Sequence, residues 1–208
     1  ERVAYRPLRK APRLVPLITA IGASFFLMYT FRGFFGPNLK VYPDIAALKG
    51  AFVVGDIKIT FVQALVMVAA AIMMIGLHLF VQYSKTGKAM RAVSEDKETA
   101  ALMGIDVDRI IVTTFILGGA LAGAAGVLYA LVFYQVQFTM GFVPGIKAFT
   151  AAVLGGIGNI PGAMLGGLFL GTIESVGPTL FLDGLGVPAP YQLRDAIAFL
   201  MLVSVLIF

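Results

Sequence analysis

Between Ile59 and Ser84 the chain runs for 26 residues without an Asp, Glu, Lys or Arg. As a helix rising ~1.5 Å per residue, this stretch would reach ~39 Å, beyond the ~30 Å of a hydrocarbon core. A water-soluble core explains apolar runs of ~10 residues; a run of this length constrains the chain to cross a membrane. Composition agrees, with 59% of residues hydrophobic, 13% charged and a mean hydropathy of +0.93. The 24 glycines among 208 residues suit helices that approach closely in lipid. Cysteine is absent, which excludes disulfides and thiolate metal sites. The net charge of +5 is spread along loops, the ordinary basic bias of membrane-protein loops rather than a nucleic-acid surface.

Five positive charges, Arg2, Arg6, Arg9, Lys10 and Arg13, precede the uncharged run Leu14 to Phe31, which is enough for one crossing and whose basic flank predicts the cytoplasmic side. Residues 32–58 then form an outer loop, in which Gly55-Asp56 between Val53 and Ile57 suits a short hairpin. After the second span, 59–84, the block 85–109 carries Lys85, Lys88, Arg91, Lys97 and Arg109 with Glu95, Asp96, Glu98, Asp106 and Asp108. The orientation rule counts Lys and Arg, so this block returns to the inside, two crossings from the first basic segment. Met90, Val93, Ala100, Ala101 and Met103 predict one short amphipathic helix lying at the membrane face, stopped by Gly104-Ile105.

From Ile110 to Ile146 no charge appears for 37 residues, too many for one helix. A span over 110–135 is predicted, already ended where Gly141, Pro144 and Gly145 mark the outer side. Small residues at 118/122/126 and 119/123 have the spacing that lets two helix backbones touch. A half-helix over 147–154 would cover only ~12 Å before the run Gly155-Gly156-Ile157-Gly158-Asn159-Ile160-Pro161-Gly162. Pro161 suits the first turn of a new helix, and Asn159 stands where it can cap it. The expected path is a half-helix entering from outside, a break at membrane depth, and a helix over 161–180 returning past Glu174. Unpaired backbone is too costly in lipid, so the break must be enclosed by protein or line a wet cavity.

Gly177-Pro178 and Val187-Pro188-Ala189-Pro190 bound an outer loop, and a last helix is expected over 191–208 with Arg194 and Asp195 near its start. The fold class is all-α: one polytopic transmembrane helix bundle over residues 1–208, with a broken or re-entrant helix near 155–162. The chain opens on Glu1-Arg2-Val3 and closes on Val205-Leu206-Ile207-Phe208; the expectation is the middle and late part of a longer protein.

Candidate chemistry is sparse. The one histidine, His78, and Ser24 in Gly22-Ala23-Ser24-Phe25 resemble the dyad of an intramembrane serine protease, but Phe25 stands where that element has its second Gly. The run Gly156 to Pro161 imitates Gly-x-Gly-x-x-Gly with Pro in the third place, and no Gly-Lys-Ser/Thr follows it, so no nucleotide site is assigned. The spans also lack the stacked charges of a proton relay or voltage sensor. No catalytic residue, metal site or cofactor is therefore assigned. Three readings stand: a passive translocation subunit driven by another protein, a facilitative channel, and an intramembrane enzyme.

Two long segments then carry a resemblance. Gly87-Lys88-Ala89-Met90-Arg91-Ala92-Val93-Ser94-Glu95-Asp96, continuing through Ala100-Ala101-Leu102-Met103-Gly104-Ile105-Asp106, resembles the cytoplasmic loop of ABC importer permeases of the branched-chain amino-acid family. Lys147 to Ala163 resembles that family's Gly-rich signature. The opening Glu1 to Arg9 is similar to its LivH-type subunit. The resemblance covers essentially the whole chain and implies a heteromeric importer in the bacterial inner membrane: this permease, a second LivM-type permease subunit, two ABC ATPase subunits and a periplasmic amino-acid-binding protein for leucine, isoleucine or valine. A permease for urea or another small amide is the related alternative.

In that picture the block 85–109 is the cytoplasmic coupling loop, with Glu95, Asp96, Ala100, Ala101, Gly104 and Ile105 as ATPase-coupling residues. Its Ala100-Ala101 reaches Gly104 after two residues, where the wider importer pattern Glu-Ala-Ala-x-x-x-Gly has three. Phe149, Thr150, Gly155, Gly156, Gly158, Asn159, Pro161 and Gly162 are the pathway candidates, since an aliphatic amino acid needs an apolar wall and backbone dipoles for its charged groups.

Overall fold

A computed structural model describes residues 7, 14–42, 50–54, 57–178, 196, 200 and 203–204. The opening basic residues lie outside the described residues, as do Arg194, Asp195 and nearly all of the helix expected over 191–208. The chain divides into two compact units, Glu1–Met140 and Gly141–Phe208.

In the first unit, α1 (Leu14–Phe35) runs past the uncharged stretch because Arg32 sits in its last turn, where a cation complements the terminal carbonyls. The Arg32 guanidinium lies 5.9 Å from the Tyr29 ring centre and 5.5 Å from that of Phe138, an arrangement suited to a cation over aromatic faces. Strand β1 (Lys40–Val41) follows. The hairpin expected around residues 53–57 is present: β2 (Ala51–Val54) pairs antiparallel with β3 (Ile57–Thr60), with Val54 opposite Ile57.

Helix α2 (Phe61–Tyr83) begins two residues later than the uncharged run because Ile59 and Thr60 belong to β3. Thr60 Oγ1 accepts from the Gln63 N–H at 3.3 Å and the Gln63 side chain accepts from the Thr60 N–H at 3.0 Å, which satisfies two otherwise orphaned donors at the helix start.

The block after α2 is two helices, not the one expected. They are α3 (Lys85–Glu95) and α4 (Lys97–Leu102), separated by Asp96 alone. Helix α5 (Val107–Phe133) starts three residues before Ile110, since Asp106 Oδ1 accepts from the Arg109 N–H at 3.1 Å and Asp108 adds negative charge to the first turn. It ends at Tyr134, whose φ of 54° is a left-handed conformation costing roughly 1–2 kcal/mol for a residue with a Cβ. Strand pairing holds it there: β4 (Gln135–Val136) is antiparallel to β1, and the Tyr42 N–H donates to the Tyr134 carbonyl at 2.9 Å. The ribbon thus ties the segment after α1 to the C-terminal end of α5, while α3 and α4 lie at the other end of α5.

The second unit holds α6 (Phe142–Leu154) and α7 (Ile160–Gly177). Helix α6 begins at Phe142 rather than Lys147. Pro144 and Gly145 read as breakers in the sequence, but Pro144 falls in the first turn, where its missing N–H would have had no partner anyway. At ~20 Å the helix still cannot cross a bilayer. Helix α7 ends at Gly177, and residues 179–180 of the expected span are outside the described residues.

The small-residue positions of α5 stand open within the first unit. A Cβ added at Gly118, Gly119, Gly123 or Gly126 would meet nothing within 4 Å. Within the second unit, α6 and α7 make a close backbone approach, described below.

Four helical segments are long and apolar enough to cross a membrane: Ile18–Phe35, Phe61–Tyr83, Val107–Phe133 and Ile160–Gly177. Their outward faces carry Phe26, Met67, Ile72, Ile116 and Leu165 exposed. Apolar surface this extensive belongs against lipid or other apolar helices, and the fold is that of an integral membrane protein.

Candidate functional site

Two places in the fold carry the candidate residues, the α3–α4 connection and the break between α6 and α7. The first is built by a series of local hydrogen bonds. Ser84 ends α2 by donating its N–H to the Phe80 carbonyl at 3.1 Å, and starts α3 by accepting the Gly87 N–H on Oγ at 2.9 Å. Gly87 is buried, and a Cβ there would collide with the Phe80 and Val81 carbonyl oxygens, so glycine is what lets α3 fold against the end of α2. Arg91 closes the joint, donating to Gln82 Oε1 at 3.2 Å and to the Gln82 carbonyl at 3.1 Å.

Asp96 repeats the device. Its N–H donates to the Ala92 carbonyl at 3.1 Å, ending α3, while Oδ1 accepts from the Glu98 N–H at 2.9 Å and the Thr99 N–H at 3.3 Å, starting α4. The Thr99 hydroxyl donates to Oδ2. That hydroxyl and the Glu98 and Thr99 amides hold the Asp96 carboxyl below the usual aspartate range, because each stabilises the ionised form. At the far end Gly104 turns left-handed, with φ of 83°. Its N–H donates to the Ala101 carbonyl at 3.0 Å and the Ile105 N–H to the Ala100 carbonyl at 3.1 Å, which pairs the last carbonyls of α4.

Of the six residues expected to couple, Glu95, Asp96, Ala101 and Gly104 are exposed, Ile105 is half-buried and Ala100 is only 4% exposed. Ala100 therefore serves packing. The side chains that protrude are Leu102 and Met103, 87% and 79% exposed at the end of α4. The sequence pattern counts Met103 with Met90, Val93, Ala100 and Ala101 as the apolar positions of one amphipathic helix at the membrane face and leaves Leu102 out.

At the second place, α6 and α7 meet backbone to backbone. A Cβ on Gly155 would collide with the Gly162 carbonyl, one on Gly162 with the Gly155 carbonyl, and one on Gly166 with the Ala151 carbonyl. Residues 155 and 162, then 151 and 166, face each other, so the two helices run antiparallel. Gly156 and Gly158, with φ of 87° and 96°, reverse the chain between them. Asn159 Oδ1 accepts the Gly162 N–H at 3.1 Å and Pro161 lies in the first turn, the start of α7 that the sequence placed there.

Gly155, Gly156, Gly158, Asn159, Pro161 and Gly162 are thus brought together as the crossing and its turn. Thr150 is 1% exposed, and its hydroxyl donates to the Ile146 carbonyl at 2.9 Å, which spends its side chain inside the helix pair. Phe149, next to it, is 48% exposed. Further along the same hairpin, the Lys147 ammonium is ion-paired with the Glu174 carboxylate. No one reading the sequence would join these two, 27 positions apart on separate helices. Ser24 is exposed on α1 and makes no hydrogen bond to His78 on α2. Among the described residues no group of three or more His, Cys, Asp or Glu could hold a metal ion.

Residues 3–206 match the protein family described as branched-chain amino acid transport system / permease component. The chain is 45% identical over 213 residues to the high-affinity branched-chain amino acid transport system permease protein BraD of Pseudomonas aeruginosa. It is 41% identical over 212 residues to the corresponding protein LivH of Escherichia coli K12. Both matches cover 100% of this chain, which spans 66% of the length of each of these curated relatives. A more distant relative, the autoinducer 2 import system permease protein LsrC of Escherichia coli O9:H4, is 34% identical over 135 residues, 59% of this chain and 35% of its own length. No solved structure matches. With a family match from end to end and a helical membrane fold, this chain belongs to the branched-chain amino acid transport system permease family.

Proposed function

We propose that this chain is the membrane-embedded part of a permease subunit in an ATP-driven importer of leucine, isoleucine and valine. The protein sits in the bacterial inner membrane with the α3–α4 connection in the cytoplasm. It works with a second permease subunit of LivM type, two ABC ATPase subunits that bind and hydrolyse ATP, and a periplasmic binding protein that delivers the amino acid. The chain itself carries no chemistry and forms part of the path.

The observation that carries this reading is the α3–Asp96–α4 unit. A channel opened by its solute alone has no use for a preformed pair of helices outside the spans, braced at both joints and ending in two exposed apolar side chains. Leu102 and Met103, with Glu95 and Glu98 exposed nearby, suit an apolar cleft with a basic rim on a soluble motor. Closure of that cleft moves the unit as one body. The names of the relatives support the cargo class.

The test is uptake of labelled leucine, isoleucine, valine and urea by vesicles holding the complete complex, with ATP inside and the binding protein outside. Uptake of the three aliphatic amino acids that stops without ATP or without the receptor is expected. Undiminished leucine uptake with neither would make the protein a facilitative channel, and preference for urea would reassign the cargo.

A further inference from the structure

We infer that the corner between α2 and α3 binds one anionic phospholipid, its acyl chain lying along the exposed stripe of α2 that ends at Tyr83 and its phosphate meeting Lys85 and Lys88. This goes beyond the transport reading and does not depend on the cargo.

Helix α2 presents one continuous apolar stripe. Val68, Ile72, Ile75, Leu79 and Tyr83 follow at steps of three and four residues, which puts them on one side of a helix, and all five are exposed. Gly76 is exposed on the same side, and a Cβ there would meet nothing within 4 Å, so the stripe has a notch between Ile72 and Leu79. From Ile72 to Tyr83 it is ~16 Å long, about the ~15 Å that one leaflet takes of a ~30 Å core. Tyr83, 73% exposed, ends it with the residue type that settles at headgroup level.

Where the stripe stops, positive charge begins. Lys85 follows Tyr83 by two residues and Lys88 lies one turn further along α3, both exposed. Among the described residues neither lysine is ion-paired. Arg91, tied to Gln82, adds a third cation on the exposed side of α3. Glu95, the acidic residue of that side, stands ~10 Å beyond Lys88 along the helix. The first turn of α3 thus holds two lysines and no acid, the sign that its dipole disfavours. An anion at the corner relieves that mismatch.

The two halves of the corner together select the ligand. A free phosphate or an acidic protein loop answers the lysines and leaves the stripe uncovered, while an apolar partner helix answers the stripe and leaves the lysines unmatched. A phospholipid of net negative charge carries an acyl chain and a phosphate in one molecule, and the membrane already holds them at the depths of the stripe and of the lysines.

Because this chain has no cysteine, Ile75→Cys in a full-length protein freed of other thiols puts a single fluorophore on the stripe. The complete complex is placed in phosphatidylcholine vesicles containing increasing fractions of brominated phosphatidylglycerol or of brominated phosphatidylcholine, whose bromine quenches the label on contact. Half-maximal quenching is expected at a mole fraction about tenfold lower for phosphatidylglycerol, as attraction of two lysines to an anionic lipid implies. Lys85→Gln with Lys88→Gln is expected to remove that difference while melting like its parent, since both side chains are exposed. Equal quenching by the two lipids in the parent overturns the site, as does a preference for phosphatidylglycerol that survives the double change. If the preference survives and co-purification of the ATPase weakens, the lysines serve the motor instead. Quenching by neither lipid means that protein covers the stripe, and it overturns the site too.

Discussion

Gly155 and Gly162 face each other across the α6–α7 crossing with no room for a Cβ on either. Replacing Gly155, Gly162 or Gly166 by Ala must push the two backbones apart. Overpacking of this kind costs typically ~1–3 kcal/mol, so each variant is expected to melt several degrees below wild type in detergent. Gly156 tests a different cause. A Cβ there has space but the φ of 87° is left-handed, so Gly156→Ala should cost about 1–2 kcal/mol and Gly156→Asn less, since Asn tolerates that region better. Equal loss for Ala and Asn at 156 would contradict the conformational account.

Gly87→Ala places a methyl group against the Phe80 and Val81 carbonyls and must lift α3 off the end of α2. Leucine uptake by the complex is expected to fall strongly while ATP hydrolysis persists, so that more ATP is spent per leucine moved. An unchanged ratio of the two rates would show that the seating of α3 is irrelevant to transport.

Leu102 and Met103 touch little of the chain that displays them. Leu102→Ser with Met103→Ser should therefore leave thermal stability within ~0.5 kcal/mol of wild type, yet weaken co-purification with the ATPase. Ala100→Ser, at a buried position, should do the reverse. Crossing these two outcomes would move the contact surface away from the tip of α4.

Asp96 makes the start of α4 sensitive to acid. Its carboxyl is held below the usual aspartate range, mainly by the Thr99 hydroxyl and then by the Glu98 and Thr99 amides. A depressed carboxylate stabilises the folded state above its unfolded pKa, and that contribution is lost as the pH falls through the lower, folded value. Hydrogen exchange at the Glu98 and Thr99 amides should be well protected near neutrality and lose protection only at pH below the ordinary aspartate range. Asp96→Asn keeps a capping oxygen without the charge, so its protection should show no such acid limb. Asp96→Ala should lose protection at every pH.

Breaking the Lys147–Glu174 pair from one side leaves a charge in apolar surroundings. Lys147→Met alone, which takes the ammonium away from Glu174, is expected to destabilise the protein by roughly 3 kcal/mol, and Lys147→Met with Glu174→Leu by less, because the double removes both members of the pair; Glu174→Leu alone completes the set. Thermal melts of the singles and the double, read as a cycle, check it; additive losses would mean the two charges do not sense each other.

What was legible in the sequence is what neighbouring residues decide between themselves. The spans follow from uncharged length, the hairpin at 51–60 from its turn residues, and the start of α7 from Asn159 and Pro161. The split at Asp96 was also local, but it hid in a helix-compatible run. An acidic residue there reads as a solvated helical position until its carboxylate is seen competing for the Glu98 and Thr99 amides. The start of α6 was missed because Pro144 breaks a helix interior but not a first turn. Small-residue spacing in α5 gives permission for a contact without naming the partner. Which backbones meet, at Gly87 and at Gly155, Gly162 and Gly166, depends on which helices are neighbours, and the Lys147–Glu174 pair is hidden for the same reason.

Ser84 and Asp96 are joints of a single residue, and each spends its own N–H on the helix before it and its side chain on the helix after it. The chain from α2 to α4 therefore contains no slack. Anything that displaces the tip of α4 must turn α3, and α3, seated at Gly87 on the last carbonyls of α2, must turn α2. The segment behaves as a crank rather than a tether, and lengthening either joint by one flexible residue would let α4 move without turning α2.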